Sequence, residues 1–134
     1  MPVLDTYGTD PEIVVTQFVI AGAAAADYDG FMLIGNGETW EVVRVDEAHQ
    51  TAGSATSASV DVRKITDGQA KASGTSVLAA VIDLSQAANT RQTPALNATL
   101  ANRRLAASDR LGLVGAGTLT AVDGVTVQVV LRRY

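Results

Sequence analysis

The sequence predicts an all-β protein: a jelly-roll-like antiparallel β-sandwich of about eight short strands behind an extended N-terminal arm. Three observations lead there. Runs rich in Val, Ile and Thr recur along the chain, separated by Gly, Asp and Asn turn signals at intervals of roughly eight to twelve residues. No segment holds a sustained helical apolar period, and no internal repeat of solenoid length occurs. Apolar residues make up 47% of the chain but aromatics only 4%. The core must therefore be built from small aliphatic side chains, which suits thin sheets packed face to face. At 134 residues the chain has the size of one ordinary domain. We read residues 1–11 as the arm and 12–134 as the sandwich.

The arm has no apolar period and contains Pro2, Gly8 and Pro11. It is expected to be ordered only where something holds it. Glu12 to Ile20 is dense in β-formers and reads as the first strand. Together with the small residues after it, this run imitates a secretory leader. The stretch before it has no Lys or Arg and carries Asp5, Asp10 and Glu12, so the strand reading is preferred. The run is also too short to span a bilayer. Asp27-Tyr-Asp-Gly30 has turn chemistry, and Phe31 to Ile34 reads as a short strand closed by Gly35-Asn-Gly37.

Thr39 to Glu47 places Trp40 and Val42 on one face, then Val43 and Val45 on the other. The slip in alternation predicts a bulge near Val42-Val43, or burial on both faces. Val60, Val62 and Ile65 interleave with Asp61 and Arg63 as a half-buried strand. Val77 to Leu84 is ambiguous between strand and helical turn. Leu96, Ala98 and Leu100 alternate as a strand, and Asp109 to Val114 reads as a turn leading into one. Thr118 to Val122 and Val125 to Leu131 flank Asp123-Gly124, the strongest hairpin signal in the chain. Val129, Val130 and Leu131 are consecutive, so the last strand is apolar on both faces. Either another layer of the chain or a second subunit is expected to cover it.

The composition argues against catalysis. There is no cysteine, and His49 is the one histidine, in a polar stretch where it reads as a surface residue. Asp46 and Glu47 are adjacent and should face opposite ways. Asp27 and Asp29 faintly suggest a calcium loop but lack the remaining ligands. Gly112, Gly115 and Gly117 lack the Lys-Ser/Thr and the helix of a phosphate cradle. No catalytic residue, metal site or cofactor is therefore expected. The net charge of −4 opposes binding to phosphate backbones. The basic pairs Arg63-Lys64, Arg103-Arg104 and Arg132-Arg133 look scattered, without interleaved aromatics. Neither nucleic acid nor membrane is an expected partner. Trp40 reads as the largest plug of an aromatic-poor core. Its other reading is an exposed sugar-stacking platform.

The second half carries a further pattern: Glu47-Ala-His49, Thr51-Ala-Gly-Ser54, Val60 to Thr66, Gly74-Thr75, Asn89-Thr-Arg-Gln-Thr93, Leu105 to Leu113, Gly117-Thr-Leu-Thr120 and the final valine strand. Over roughly residues 40–134 this resembles the decoration, or head-cement, proteins of tailed bacteriophages. The resemblance implies a jelly-roll homotrimer on the outer surface of the capsid, made in the cytoplasm of the bacterial host. Its implied partners are the major capsid protein and other copies of itself, often with an N-terminal arm reaching a neighbour. Val3, Leu4 and Tyr7 are the arm residues expected to touch the capsid. The alternative expectation is a carbohydrate- or receptor-binding module of a fibre or cell surface, which needs Trp40 or Tyr28 exposed.

Overall fold

The computed structural model describes residues 12–19, 30–33, 37–53 and 58–134. Nine strands lie among the described residues: β1 (Glu12–Val19), β2 (Gly30–Leu33), β3 (Trp40–Ala48), β4 (Ser59–Ile65), β5 (Thr75–Ser76), β6 (Ile82–Asp83), β7 (Arg104–Leu105), β8 (Arg110–Ala116) and β9 (Val125–Arg133). A four-residue helix, α1 (Leu100–Arg103), precedes β7. One sheet runs β1-β9-β3-β7. The other runs β2-β8-β4, with β5 and β6 sharing the far edge of β4.

All pairings are antiparallel, and they nest: β1 with β9, β2 with β8, β3 with β7, β4 with β6. The chain is thus one long hairpin, its tip near β4–β6, rolled so that β9 also meets β3 and β8 also meets β4. This is the double-sheet jelly roll that the turn spacing predicted.

Alternation sets the inner faces. Val125, Val127, Val129 and Leu131 of β9 are buried together with Trp40, Val42 and Val45 of β3. They pack on Val60 and Val62 of β4 and on Leu111 and Leu113 of β8. Each fully buried Val or Leu of this kind stabilises the fold by about 1.5–3 kcal/mol. The predicted bulge is present, since the β3–β9 register shifts between Val42 and Arg44. The extra residue restores parity, so that Val42 and Val45 both face the core. Val130 is buried as well, at 3% exposure, although it lies outside that core cluster.

Three strand readings are corrected. Asp123-Gly124 is not a hairpin turn, because the segment before it supplies no strand and β9 pairs with β1 and β3. Gly124 does adopt φ +63, as such a turn requires, and a Cβ there would meet the Gln50 side chain at 2.7 Å. Its neighbour Asp123 instead forms a bridge with Thr51. Thr118 to Val122 forms no strand: Leu119 and Val122 are both buried, and the Val122 amide donates to the Leu119 carbonyl. Leu96 makes a single bridge to Leu78, and Leu100 opens α1. Ile65, which shares parity with Asp61 and Arg63 in the unbroken β4 register, is buried outside the main core cluster, against Gly74. A Cβ on Gly74 would lie 2.9 Å from the Lys64 carbonyl, which is why the chain can cross β4 so closely there.

Candidate functional site

The end of β3 carries a buried polar cluster. After the bulge, Val45, Glu47 and His49 share one parity, so the last two follow a valine into the interior. Both side chains are fully buried. His49 Nδ1 lies 2.9 Å from Glu47 Oε1, and its Nε2 lies 3.0 Å from the Gln86 carbonyl oxygen. A carbonyl only accepts, so Nε2 carries a hydrogen. One further proton lies between Nδ1 and Oε1, and the pair is neutral whichever atom holds it. Gln92 Nε2 donates to Glu47 Oε2 and to the Asp83 carbonyl, each at 2.8 Å. Glu47 and Gln92 also exchange both backbone hydrogen bonds, and the Asn89 amide donates to the His49 carbonyl. Burial pushes the Glu47 carboxyl up from its ordinary value, against the opposing pull of His49 and Gln92.

His49 was expected at the surface. The structure places it at 1% exposure, with both ring nitrogens partnered. The signal for this was its spacing of two from Glu47 and four from Val45 along one strand. The expectation that Asp46 and Glu47 face opposite ways does hold. Asp46 accepts from Arg44, Arg91 and Thr93 on the other side of β3. Burial alone would raise its pKa, but these hydrogen bonds and the charge of Arg91 hold it down at about 2. Asp46, Arg91, Thr126 and Gln128 line a shallow depression of about 270 Å³ on that face.

The basic pairs also end closer together than the sequence suggested. In register, Glu41 lies opposite Arg104 on one side and Arg132 on the other. It forms ion pairs with Arg103 and Arg104 at 3.7 and 3.3 Å. Arg104 covers the Tyr134 ring, while Arg133 covers Trp40 and pairs with Glu38. Lys64 Nζ donates to the Ala101 and Arg104 carbonyls. The group therefore stitches sheet ends together through acidic, aromatic and carbonyl partners, with Arg103 Nε left buried and unpartnered. Trp40 is 5% exposed and donates from Nε1 to Glu38.

The arm residues Val3, Leu4 and Tyr7, and likewise Asp27, Tyr28 and Asp29, lie outside the described residues. Among the described residues no three His, Asp or Glu side chains converge in a metal-holding group, and no helix is long and apolar enough to cross a membrane. The histidine and glutamate that would attract a catalytic reading have no exposed surface to meet a substrate. What the arrangement does is structural: it fastens the 83–93 loop to the open side of β3.

Fold and cluster together define a double-sheet jelly roll with a buried polar fastening at the end of β3. No protein-family model matches the chain, and no curated protein matches it. A solved structure from Bacillus endospore appendages, described as a novel family of disulfide-linked pili, is similar over 93% of this chain and 87% of that one. The two are 10% identical, with a TM-score of 0.41.

Proposed function

We propose that the chain is a structural decoration protein of a tailed-bacteriophage head. It binds the exterior of the assembled shell as a homotrimer and stabilises it by clamping the major capsid protein. One observation carries the reading: the segments that resemble head-cement proteins are those that hold this jelly roll together. Glu47-Ala-His49 supplies the buried pair, and Asn89 to Thr93 supplies the clamp on it. Leu105 to Leu113 joins β7 to β8 and contributes Leu105, Leu111 and Leu113 to the core. The burial of Trp40 removes one of the two rings, Trp40 or Tyr28, that the sugar-platform alternative could use, and Tyr28 lies outside the described residues.

The mechanism is linkage. A protein that binds the assembled shell and not its separated subunits stabilises the shell by RT ln(1 + [L]/Kd). Three linked copies multiply the effect by avidity where their sites match the capsid's threefold positions. The test is co-sedimentation of the purified protein with undecorated expanded heads and with unexpanded precursor shells. We expect saturable pelleting with expanded heads, in multiples of three copies per site, and a rise in the temperature at which they rupture. A chain that pellets with neither shell and binds a glycan array overturns the reading.

A further inference from the structure

The chain has one histidine and no cysteine. Among ordinary side chains only histidine changes charge between about pH 5 and 8. A side-chain charge switch in that range therefore runs through His49, or through a carboxyl that burial has lifted into it. Here the two possibilities are one unit, because His49 is hydrogen-bonded to Glu47 and neither side chain has exposed surface.

The proton count of the closed unit follows from its partners. The Gln86 carbonyl fixes a hydrogen on Nε2, and the 2.9 Å approach of Nδ1 to Oε1 requires a second hydrogen between them. In solvent the same two groups hold two protons only between about pH 4.3 and 6.5, as imidazolium and carboxylate. Above about 6.5 they hold one, and below about 4.3 they hold three. The contacts that close the unit come from the 83–93 loop. They are the Gln86 carbonyl, the Gln92 side chain, and the Asn89 and Gln92 amides that donate to the His49 and Glu47 carbonyls.

We infer that the 83–93 loop is latched by a proton. From neutral pH upward, opening the loop releases the proton shared by His49 and Glu47. The loop is therefore held most tightly in mildly acid solution and less tightly as pH rises. The shared proton is bound more firmly closed than open, and such a proton stabilises the closed state in full below the open-state value. That contribution is lost from about pH 6.5 upward, until the closed unit gives up the proton itself. Giving it up in place would strand a carboxylate beside a neutral ring. Burial opposes this and already pushes the Glu47 carboxyl up from its ordinary value.

The charges on the surrounding elements do not titrate in this window. Asp83 accepts from Ser85 and Gln86, which hold its carboxyl below its ordinary value, and its negative charge favours a proton on His49. Asp46 and Arg91 pair on the opposite face of β3, the carboxyl held at about 2 and the guanidinium pushed up. Asp123 meets this end of β3 through backbone bonds with Gln50 and Thr51. β9 sets the uncharged Val127 and Thr126 opposite Glu47 and Ala48. The latched loop is also one wall of a groove of about 470 Å³ opposite residues 79–82, so the proton governs how firmly that wall is held. None of this rests on the phage reading.

Glu47→Gln tests the inference with little change of shape. Its amide can donate to Nδ1 while its oxygen accepts from Gln92, so the closed bonds remain and the titrating proton is gone. Amide exchange of Asn89 and Gln92, expressed as protection relative to the intrinsic rate at each pH, reads loop opening. In the parent, protection is expected to be level from about pH 5 to 6.5 and then to fall, approaching tenfold per pH unit for one proton released. In Glu47→Gln it should stay level above about 6.5 and fall below it, because the freed imidazole takes up a proton that the closed one has no room to bind. The α-amino group is common to both proteins and cancels in the comparison. Asn89 and Gln92 should also exchange faster than the β9 amides that bond β1, which marks local opening. Parent protection that is level from about pH 5 to 8 overturns the inference, with or without a folded variant. So does a Glu47→Gln profile that falls above about 6.5 as the parent's does, or loop amides that exchange only at the rate of β9.

Discussion

Along one, closed flank of the sandwich the edge strands β5, β6 and β7 are two residues each, whereas along the other β1 pairs with β9 over eight residues in unbroken register. On the closed flank, β5, β6 and β7 are fragments held in place by side chains. Gln92 is bonded through backbone and amide to Glu47, Ser76 is bonded to Asp61, and Lys64 reaches the carbonyls around α1. The other flank brings β1 beside β2. The difference teaches that short edge segments need buried polar anchors to stay in register, because two residues of pairing cannot hold themselves. An eight-residue strand in continuous register holds itself by its own ladder.

The contrast can be broken hardest at Glu47. Glu47→Ala leaves buried His49 and Gln92 without their shared acceptor and should cost about 3–5 kcal/mol, read from urea unfolding followed by Trp40 emission. A loss below about 1 kcal/mol would mean that the cluster is not what holds the closed flank. Gln92→Ala removes the side-chain bonds to Glu47 and the Asp83 carbonyl and should cost about 1–3 kcal/mol. Proteolysis should then cut first within the 83–93 loop.

Asp46→Asn should cost about 1–2 kcal/mol at neutral pH. Its carboxyl is held at about 2 in the fold, against about 3.9 in an unfolded chain. A depressed pKa stabilises the fold above the unfolded value, and that contribution disappears as pH falls through about 2. Between pH 5 and 2, roughly, the urea midpoint of the parent should therefore fall more steeply than that of Asp46→Asn.

Much of this fold was legible because local pattern and tertiary role coincide. The β3 bulge was visible as a slip in alternation, and Trp40 as the plug a core so poor in aromatics requires. Asp123-Gly124 misled because turn chemistry specifies a left-handed glycine and not which strands it joins. The same dipeptide served a crossing between sheets. His49 misled because a polar flanking sequence was weighed above strand parity, although Val45, Glu47 and His49 already shared a face. The clamp from Gln86 and Gln92 was not legible at all. Its partners are some forty residues away, at separations of 37 and 45, and only the rolled topology brings them together.

Native-state amide hydrogen exchange tests the central claim most directly, because it reports each segment separately. If the Glu47–His49–Gln92 cluster holds the closed flank, the amides of Glu47, Asn89 and Gln92, each bonded across that flank, exchange slowly in the parent. In Glu47→Ala the Asn89 and Gln92 amides become fast, while those of β9 that bond β1 stay slow. Asn89 and Gln92 amides that exchange as freely in the parent as in Glu47→Ala would contradict the account.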